Sequence, residues 1–304
     1  MIRNVLITGG AGNLGRVCAE ELRKGYSITL FDRVTPEQAR IPWETDLPFL
    51  LGDLTEFGDC MRAIAAAGAD AILHLGALAG PTELTPWRRQ QSMPEDETMR
   101  VNTMGTYYLM DAARRLGVLK VAMASTFYVL GLGFRISDRP FVVEYLPIDE
   151  RHPCRPESTY CLSKLLDEEI LAAFQRAYGI QTAAFRLMGV HYAHYPTHRF
   201  DQVPEARPDH VGGPKGTTWQ YVEGRDVAQA CRLFLETPPF EQFEAFYLAT
   251  DTTLAEDTRV VVERTCPDLA AMAAVLQGKE GMISIKKAQE MLGYRPQHSW
   301  RNGG

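Results

Sequence analysis

The sequence has few cysteines, no long apolar run and no excess of basic charge. Its six cysteines are scattered and form no Cys-x-x-Cys pair, so their spacing indicates neither a zinc site nor a disulfide framework. The apolar stretch 64–80 is interrupted by Asp70 and His74, whereas a membrane-spanning helix needs about 20 predominantly apolar residues. No signal peptide is visible at the N-terminus. We therefore expect a cytoplasmic protein with no membrane partner.

The charge and composition exclude one class of partner and permit a large core. The 32 basic and 38 acidic side chains give a formal net charge of −6, and no basic stripe is present to release phosphate counterions. Nucleic acid is therefore not an expected partner. An apolar fraction of 45% over 304 residues is ordinary for a globular protein and is sufficient to bury a substantial core.

Short apolar runs alternate with amphipathic helical patterns along most of the chain. Alternation of this kind predicts a parallel sheet that is covered by helices on both faces. The fold class that we expect is therefore α/β, with a doubly wound parallel sheet. The strands are predicted at 5–7, 27–31, 71–75, 120–124, 182–185 and 245–248, and the helices at 16–24, 98–116, 158–178 and 226–235.

A glycine-rich turn lies directly after the first strand and opens the first helix. Gly9, Gly12 and Gly15 follow the spacing Gly-x-x-Gly-x-x-Gly, which permits a tight turn and a close approach of the backbone to a pyrophosphate. The helix N-terminus adds unpaired N–H groups and the positive end of the helix dipole. Glycines often serve only in loops, but the strand-turn-helix context favours a dinucleotide site.

Asp32 ends the second strand, at the position where a carboxylate meets the adenosine ribose. A carboxylate there accepts hydrogen bonds from the ribose hydroxyls and repels a 2′-phosphate, so it selects NAD over NADP. Arg33 follows at once and would weaken that preference. NAD is therefore the expected cofactor, and NADP is the less favoured one.

Tyr160 and Lys164 are four residues apart on a predicted helix and therefore lie on one face. A free phenol with a pKa near 10 is a poor base at neutral pH, and a fixed ammonium nearby favours the phenolate. A Tyr-x-x-x-Lys pair is common on exposed helices. Together with the dinucleotide turn upstream, it predicts a catalytic pair.

At this point the sequence resembles the short-chain dehydrogenase/reductase superfamily, specifically its extended branch, over nearly the whole chain. The resemblance implies a Rossmann-like fold and hydride transfer between a substrate hydroxyl carbon and NAD. The motifs that carry it are 8–15, Asp32, Gly52 to Leu54, His74 to Ala77, Asn102, Ala124 to Thr126, Tyr160 with Lys164, and Leu292 to Pro296.

The resemblance assigns roles to particular side chains. Tyr160 removes the proton, Thr126 hydrogen-bonds the reacting oxygen, and Lys164 adjusts the proton affinity of Tyr160. Read one at a time, Asp53, Asn102 and Ser125 are equally well explained as ordinary turn, helix and strand-end residues. The implied cofactor-binding residues are Gly9, Gly12, Asn13, Leu14, Gly15, Asp32, Arg33, Asp53, Leu54, Leu75, Gly76, Ala77, Asn102, Ser125, Tyr160, Lys164 and Met188.

The composition and periodicity of the sequence change near residue 187. Residues 191–216 are rich in His, Tyr, Pro and Gly and show no clear periodicity. We expect an NAD-binding domain over 1–186, to which 226–250 returns, and a smaller substrate-binding cap over 187–304. By the resemblance, two copies associate through the helices at 98–116 and 158–178, so a homodimer is expected.

At three positions the sequence differs from the nucleotide-sugar enzymes of the branch, and these differences narrow the range of expected substrates. Phe127 occupies the position after the catalytic Thr at which dehydratases carry an acidic residue. Gly189 occupies the position of an epimerase Asn, and Trp219 occupies the position of an epimerase Arg that binds the diphosphate. We therefore expect a dehydrogenase of a sugar, sugar acid or polyol. The motifs at 124–131 and 154–160 are similar to those of uronate-type sugar-acid dehydrogenases.

Two alternative functions remain open from the sequence. One is an epimerase of a sugar or nucleotide sugar, which oxidises and re-reduces one carbon while it keeps its NAD. The other is a non-catalytic NAD-binding regulator, which has no use for Thr126, Tyr160 and Lys164 together. Net formation of NADH separates the dehydrogenase from the epimerase.

The remaining motifs concern the substrate pocket and its surroundings. The long segments 78–97 and 131–157 are expected to shape or cover the pocket. Arg88, Arg89 and Arg199 are candidates for contact with a substrate carboxylate, but solvated surface arginines are the favoured interpretation. His191, His194 and His198 lack an acidic partner, so no metal is expected. Asp226 is predicted to be a helix N-cap, not a catalyst.

Overall fold

The computed structural model describes residues 2–84, 93–137, 139–195 and 218–302, and its centre is a seven-stranded parallel sheet. The strand order is β3-β2-β1-β4-β5-β6-β9. The inner strands consist mostly of buried apolar residues, as expected for strands covered on both faces. Their bounds are β1 Asn4–Thr8, β2 Ser27–Asp32, β3 Phe49–Leu51, β4 Ala71–His74, β5 Lys120–Thr126, β6 Gln181–Leu187 and β9 Glu244–Leu248.

Helices cover both faces of this sheet, which confirms the expected doubly wound α/β fold. Alternate residues of β1 enter two cores: Val5 and Ile7 pack with α1 and α6, while Leu6 packs with α2, α4 and α5. The helices are α1 Asn13–Leu22, α2 Phe57–Ala67, α3 Glu97–Met99, α4 Gly105–Arg115, α5 Thr159–Tyr178, α6 Gly224–Glu236, α7 Thr258–Thr265, α8 Ala270–Ala273 and α9 Lys286–Leu292.

The strand order reverses between β1 and β4, and this reversal positions the site. β1 pairs with β2 on one side and with β4 on the other, so the connections leave in opposite directions. In open parallel sheets, ligands bind at the carboxyl ends of the strands beside such a switch point. The turn at Gly9 and the segment after His74 both lie there.

The C-terminal part contributes to two sheets. β9 pairs in parallel with β6 and extends the main sheet, and α6 packs against α1. A small sheet of order β10-β8-β7 is formed by β7 Gly189–His191, β8 Gln220–Glu223 and β10 Asp251–Thr252. The division into an NAD-binding domain and a cap stays a prediction.

The helix expected over 98–116 is present over residues 97–115 and includes a π-helical turn at Arg100–Met104. There the Asn102 side chain bonds to Leu78 and Ser163 instead of facing solvent. One local prediction was wrong, because Asp226 does not cap α6. The N-cap is Glu223, whose carboxylate accepts from the Arg225 N–H, while Asp226 accepts from Thr250 and His298.

Within the described ranges, no helix is sufficiently long and apolar to span a bilayer. The same residues contain no group of three His, Cys, Asp or Glu side chains arranged to hold a metal ion. His198, Arg88, Arg89 and Arg199 lie outside the described residues. The two segments that are expected to shape the pocket, 78–97 and 131–157, are described except for residues 85–92 and residue 138.

Candidate active site

The glycine-rich turn brings β1, α1 and the segment after β4 into close contact. Gly9 has a φ of +69°, and a Cβ there would lie 2.6 Å from the Gly76 N atom. A Cβ on Gly15 would lie 2.3 Å from the Gly9 carbonyl oxygen. Only glycine fits both positions. The turn therefore has the tight geometry that a dinucleotide pyrophosphate requires at the N-terminus of α1.

A cavity of about 170 Å³ lies at the carboxyl ends of β1, β2 and β4. Asp32 borders it, and its carboxylate accepts hydrogen bonds from the N–H groups of Ala11 and Arg33. Burial raises the pKa of Asp32, although these backbone hydrogen bonds oppose the change. The lining residues are Gly9, Gly12, Phe31, Asp32, Arg33, Gly52, Asp53, Leu54, Leu75, Gly76, Ala77, Leu78 and Val101.

A second cavity, of about 330 Å³, adjoins the first and shares Leu75 and Ala77 with it. It contains the expected catalytic residues Thr126, Tyr160 and Lys164, together with the expected cofactor residues Leu14, Ser125 and Met188. Its other lining residues are Ala79, Gly80, Ala124, Phe127, Tyr128, Phe134, Leu187, Gly189, Val190 and Tyr192. The two cavities together form a cleft from the Asp32 carboxylate to Tyr160 and Lys164.

Thr126 and Tyr160 meet at the wall of the larger cavity. Thr126 ends β5 and accepts from the Tyr128 N–H at 3.3 Å, and both Thr126 and Tyr160 line the cavity. Burial raises the pKa of Tyr160 well above its ordinary value, and the neighbouring Thr126 hydroxyl opposes this rise. A phenol in this setting needs a nearby cation to act as a base.

That cation is Lys164, which lies one helical turn beyond Tyr160 on α5. Its side chain is only 3% exposed, and its Nζ atom lies 3.5 Å from Asp167 Oδ2. Because residues four apart share a helix face, the ammonium and the phenol both border the larger cavity. The pair expected from the sequence is therefore assembled by the fold.

Asn102 and Ser125 occupy supporting positions in the described structure. The Asn102 amide accepts from the Leu78 N–H and donates to Ser163 Oγ, which in turn donates to the Tyr160 carbonyl. Asn102 therefore ties the segment after β4 to the catalytic helix. Ser125 borders the larger cavity and donates to Glu168. Direct contact of Asn102 and Ser125 with a cofactor stays a prediction.

A buried ion pair that sequence reasoning missed fixes the position of Ser125. Arg186 on β6 donates to Glu168 from Nη2 at 2.8 Å and from Nε at 3.1 and 3.3 Å, and both side chains are almost fully buried. Glu168 lies four residues after Lys164. Tyr160, Lys164 and Glu168 follow one another at intervals of four residues, so they share one helix face. This spacing could have identified Glu168 from the sequence.

Two further carboxylates, also missed, connect long segments to the start of α5. Glu83 accepts from the Thr159 N–H at 2.7 Å and from the Thr159 hydroxyl. Glu157 accepts from Arg135 and from the N–H groups of Ile136 and Ser137. Both carboxylates face residues that are distant in sequence, so no local pattern could have revealed these contacts.

Aromatic rings form one wall of the larger cavity. The Phe134 ring meets Tyr160 edge-on, with ring centroids 5.9 Å apart, and meets Tyr128 at 5.2 Å. Phe127 is buried beside Tyr128, with ring centroids 4.2 Å apart. A hydrocarbon ring therefore stands where dehydratases of the branch carry a carboxylate. The sequence analysis did not identify Phe134 or Tyr192 as residues of this cavity.

Asn13, expected at the cofactor, makes a contact with a later segment. Its Oδ1 atom lies 3.2 Å from His194 Nε2. Neither Asn13 nor Gly15 borders the two cavities, although both lie in the turn that shapes them. Trp219 is buried and lies outside both linings.

The described residues fit a dinucleotide along this cleft. The backbone at Gly9 and Gly15 leaves no room for side chains, Asp32 borders the smaller cavity, and Lys164 borders the larger one. When bound, NAD would supply the hydride acceptor. Asp32 would hold the adenosine ribose, and Lys164 would hold the nicotinamide ribose.

Comparison with known proteins agrees with this geometry. The uronate dehydrogenase of Pseudomonas syringae is 32% identical over 189 residues, which cover 60% of this chain and 58% of that relative. The UDP-glucose 4-epimerase of Corynebacterium glutamicum is 25% identical over 323 residues, covering 97% of this chain and 91% of that one. The chain thus spans less than two thirds of the uronate dehydrogenases that it matches.

A solved UDP-glucose 4-epimerase from Thermotoga maritima shares the fold. It superposes with a TM-score of 0.70 at 19% identity and covers 99% of this chain and 96% of that one. The NAD dependent epimerase/dehydratase family model matches residues 5–248, which confirms both the expected resemblance and NAD as the cofactor. The chain belongs to the NAD-dependent epimerase/dehydratase family.

Proposed function

We propose that this protein is an NAD-dependent dehydrogenase that oxidises a secondary hydroxyl of a sugar, sugar acid or polyol, or reduces the corresponding ketone or lactone. One observation carries the proposal. Thr126 and Tyr160 border the same cavity, together with Lys164, and this cavity adjoins the dinucleotide cleft. A substrate hydroxyl placed between Thr126 and Tyr160 meets a proton acceptor and a positioning donor.

The roles of the side chains follow from their positions. Thr126 orients the substrate oxygen, and Tyr160 takes its proton when the hydroxyl carbon is oxidised. Lys164 keeps a positive charge near the phenol and so favours its ionised form. NAD, when bound, would supply the hydride acceptor. In the reverse direction, Tyr160 donates its proton to the carbonyl oxygen.

The preference for a small sugar-like substrate rests on the pocket and on the relatives. The larger cavity measures about 330 Å³ and is walled by the rings of Tyr128, Phe134 and Tyr160, which suit the C–H face of a sugar ring. Uronate dehydrogenases stand among the relatives at 30–32% identity. A uronic acid is therefore the first substrate to test.

Epimerisation is the second candidate because the Corynebacterium epimerase aligns along nearly the whole chain. Such an enzyme returns the hydride to the same carbon and accumulates no NADH. Dehydration is disfavoured because Phe127 supplies no acid or base beside Thr126.

The test is an NADH-absorbance screen with the full chain. Uronic acids, aldonic acids, free aldoses, polyols and UDP-sugars are each supplied with NAD, and we expect net NADH from one of the first four classes. Tyr160→Phe should lower kcat at least about 100-fold. Tyr178→Phe, an exposed tyrosine at the end of the same helix, serves as the matched control.

Three results would contradict the proposal. They are turnover of UDP-sugars alone, sugar epimerisation without accumulation of NADH, and a Tyr160→Phe protein that keeps full activity. The second result would favour the epimerase, and the third would remove Tyr160 from the chemistry.

A further inference from the structure

Asp167 is a fully buried carboxyl that the proposed chemistry does not use. It lies on α5 less than one turn beyond Lys164, its side chain is 0% exposed, and Oδ2 lies 3.5 Å from the Lys164 Nζ atom. Among the described residues, neither of its oxygens receives a hydrogen bond of ordinary geometry. An ionised carboxyl without such donors is costly to bury, so its position beside a catalytic cation requires an explanation.

The charged and polar groups near Asp167 lie on two helices. On its own helix these are Lys164, Glu168 and Tyr160, and Glu168 is already paired with Arg186. On α4, Thr106 lies close enough for its hydroxyl to lower the pKa of the carboxyl. Lys164 is therefore the cation that opposes the Asp167 charge.

Behind Thr106, a chain of hydrogen bonds leads back to the dinucleotide turn. His74 on β4 lies 3.0 Å from Thr106 Oγ1 and 2.8 Å from Thr8 Oγ1, and Thr8 accepts from the Gly76 N–H. Burial lowers the pKa of His74 to about 3, and the Lys164 charge adds to this. With its ring proton on Nε2, the neutral imidazole donates to Thr106, whose own proton is then available to Asp167.

Lys164 affects the pKa of Asp167, and Asp167 in turn affects the pKa of Tyr160. Burial raises the pKa of Asp167 to about 6, and the Lys164 charge holds it from rising further. Burial is the main cause of the raised pKa of Tyr160, and the Asp167 charge adds to that rise. An ionised Asp167 thus offsets part of the benefit that Lys164 gives to the phenolate.

We propose that Asp167 is a positioning residue, which holds the Lys164 ammonium as a buried counter-charge and thereby sets how readily Tyr160 loses its proton. The inference rests on the proposed role of Tyr160 as the proton acceptor. It predicts that removal of the Asp167 charge changes the pH range of activity and not only its level.

The first experiment compares the pH profiles of kcat/KM for hydroxyl oxidation. In Asp167→Asn, we expect the acid limb to move down by about one pH unit, which gives up to about tenfold higher relative activity on that limb. Below about pH 6 the native Asp167 is itself neutral, so the two profiles should converge.

Glu169→Gln is the matched control. Glu169 is exposed on the same helix, and its substitution changes the net charge equally, so its profile should coincide with that of the native chain. A purely structural role of Asp167 would lower activity without moving the acid limb, and that result would overturn the proposal. Asp167→Ser removes the same charge with a smaller side chain and is measured alongside, in case the Asn variant does not fold.

The second experiment needs neither substrate nor cofactor. Infrared difference spectra of the full chain follow the carbonyl band of the protonated Asp167 carboxyl, which is assigned by its loss in Asp167→Asn. We expect a midpoint near pH 6 in the native chain and a higher midpoint in Lys164→Met, because the ammonium lowers the pKa of Asp167. An unchanged midpoint would refute the pairing.

The two failures can be told apart. If no substrate is found or Tyr160→Phe stays active, the proposed function fails while the infrared titration still reports on Asp167 and Lys164. If Tyr160→Phe is inactive and the Asp167→Asn profile coincides with the native one, the proposed function stands and the role of Asp167 is refuted.

Discussion

At the scale of single residues, the chemistry depends on how one buried phenol is surrounded. The Thr126 hydroxyl favours ionisation of Tyr160, and burial opposes it strongly. Lys164 lies one turn away and is itself almost fully buried. Because low polarity strengthens charge interactions, small changes at these residues should have large effects on proton transfer.

His74 provides a residue-scale prediction about pH. Its folded-state pKa is lowered to about 3 by burial, so the unfolded chain, with an ordinary value near 6.5, binds more protons. The stability that the neutral imidazole contributes is therefore present above pH 6.5 and is lost as the pH falls towards 3. Between pH 6.5 and 5 the loss should be about 2 kcal/mol.

Urea unfolding of the native chain and of His74→Gln at several pH values checks this. As the pH falls, we expect the free energy of unfolding to decrease less steeply in His74→Gln than in the native chain. Asp167 titrates in the same range with the opposite sign, because its pKa is raised, but it is present in both proteins and its contribution largely cancels. Equal slopes for the two proteins would show that His74 is not buried in its neutral form.

At the scale of elements, helix α5 is the part whose placement decides the site. Ser158 caps it, Glu83 accepts from Thr159, and Asn102 reaches its first turn through Ser163. The π-helical turn at Arg100–Met104 contains Asn102. Turns of this kind occur often at functional sites. The loops beside the cavity are therefore linked mechanically to the helix that carries Tyr160 and Lys164.

Glu83→Gln tests this link between a loop and α5. The charged carboxylate receives two hydrogen bonds at the helix N-terminus, and its replacement should lower the free energy of unfolding by about 1–2 kcal/mol. It should also lower kcat, because the position of Tyr160 becomes less defined. Denaturant unfolding and steady-state kinetics provide both values.

Thr159→Val removes only the hydroxyl contact and should show a smaller loss of stability than Glu83→Gln. Glu169→Gln, on the exposed face of the same helix, should change neither quantity. If Glu83→Gln behaves like Glu169→Gln, then the loop does not support α5.

At the scale of the whole molecule, the proposed homodimer has a physical basis in two helices. Large apolar side chains remain exposed on or beside α4 and α5: Tyr107 is 45% exposed, Leu162 is 40% exposed and Leu166 is 37% exposed. Clusters of this kind are typical of surfaces that bind another protein. A second copy meeting the same face would form a symmetric four-helix contact.

Light scattering after size exclusion measures the oligomeric state. We expect a dimer for the native chain and a monomer for Leu166→Glu, because a carboxylate would be buried without a partner in the contact. Val260→Glu, at an exposed position on α7, should leave the dimer intact. A native chain that is monomeric at micromolar concentration would contradict the proposal.

The order of the main elements could be read from local sequence signals. The alternation of apolar runs and amphipathic helices predicted the doubly wound sheet, because burial on both faces requires that pattern. Gly9 and Gly15 could be recognised because no other residue fits their backbone conformation or spacing. The π-helical turn and the N-cap at Glu223 could not, because contacts with distant segments override local preference in both.

The sequence alone determined the residues whose role follows from spacing within one element: the glycines of the first turn, Asp32 at a strand end, and Tyr160 with Lys164 on one helix face. The tertiary structure decided how these residues are held and tuned. Glu83 reaches Thr159 across 76 residues, and the His74–Thr106 pair approaches Asp167 from other elements. Such contacts depend on where the chain returns in space, and no local pattern encodes that.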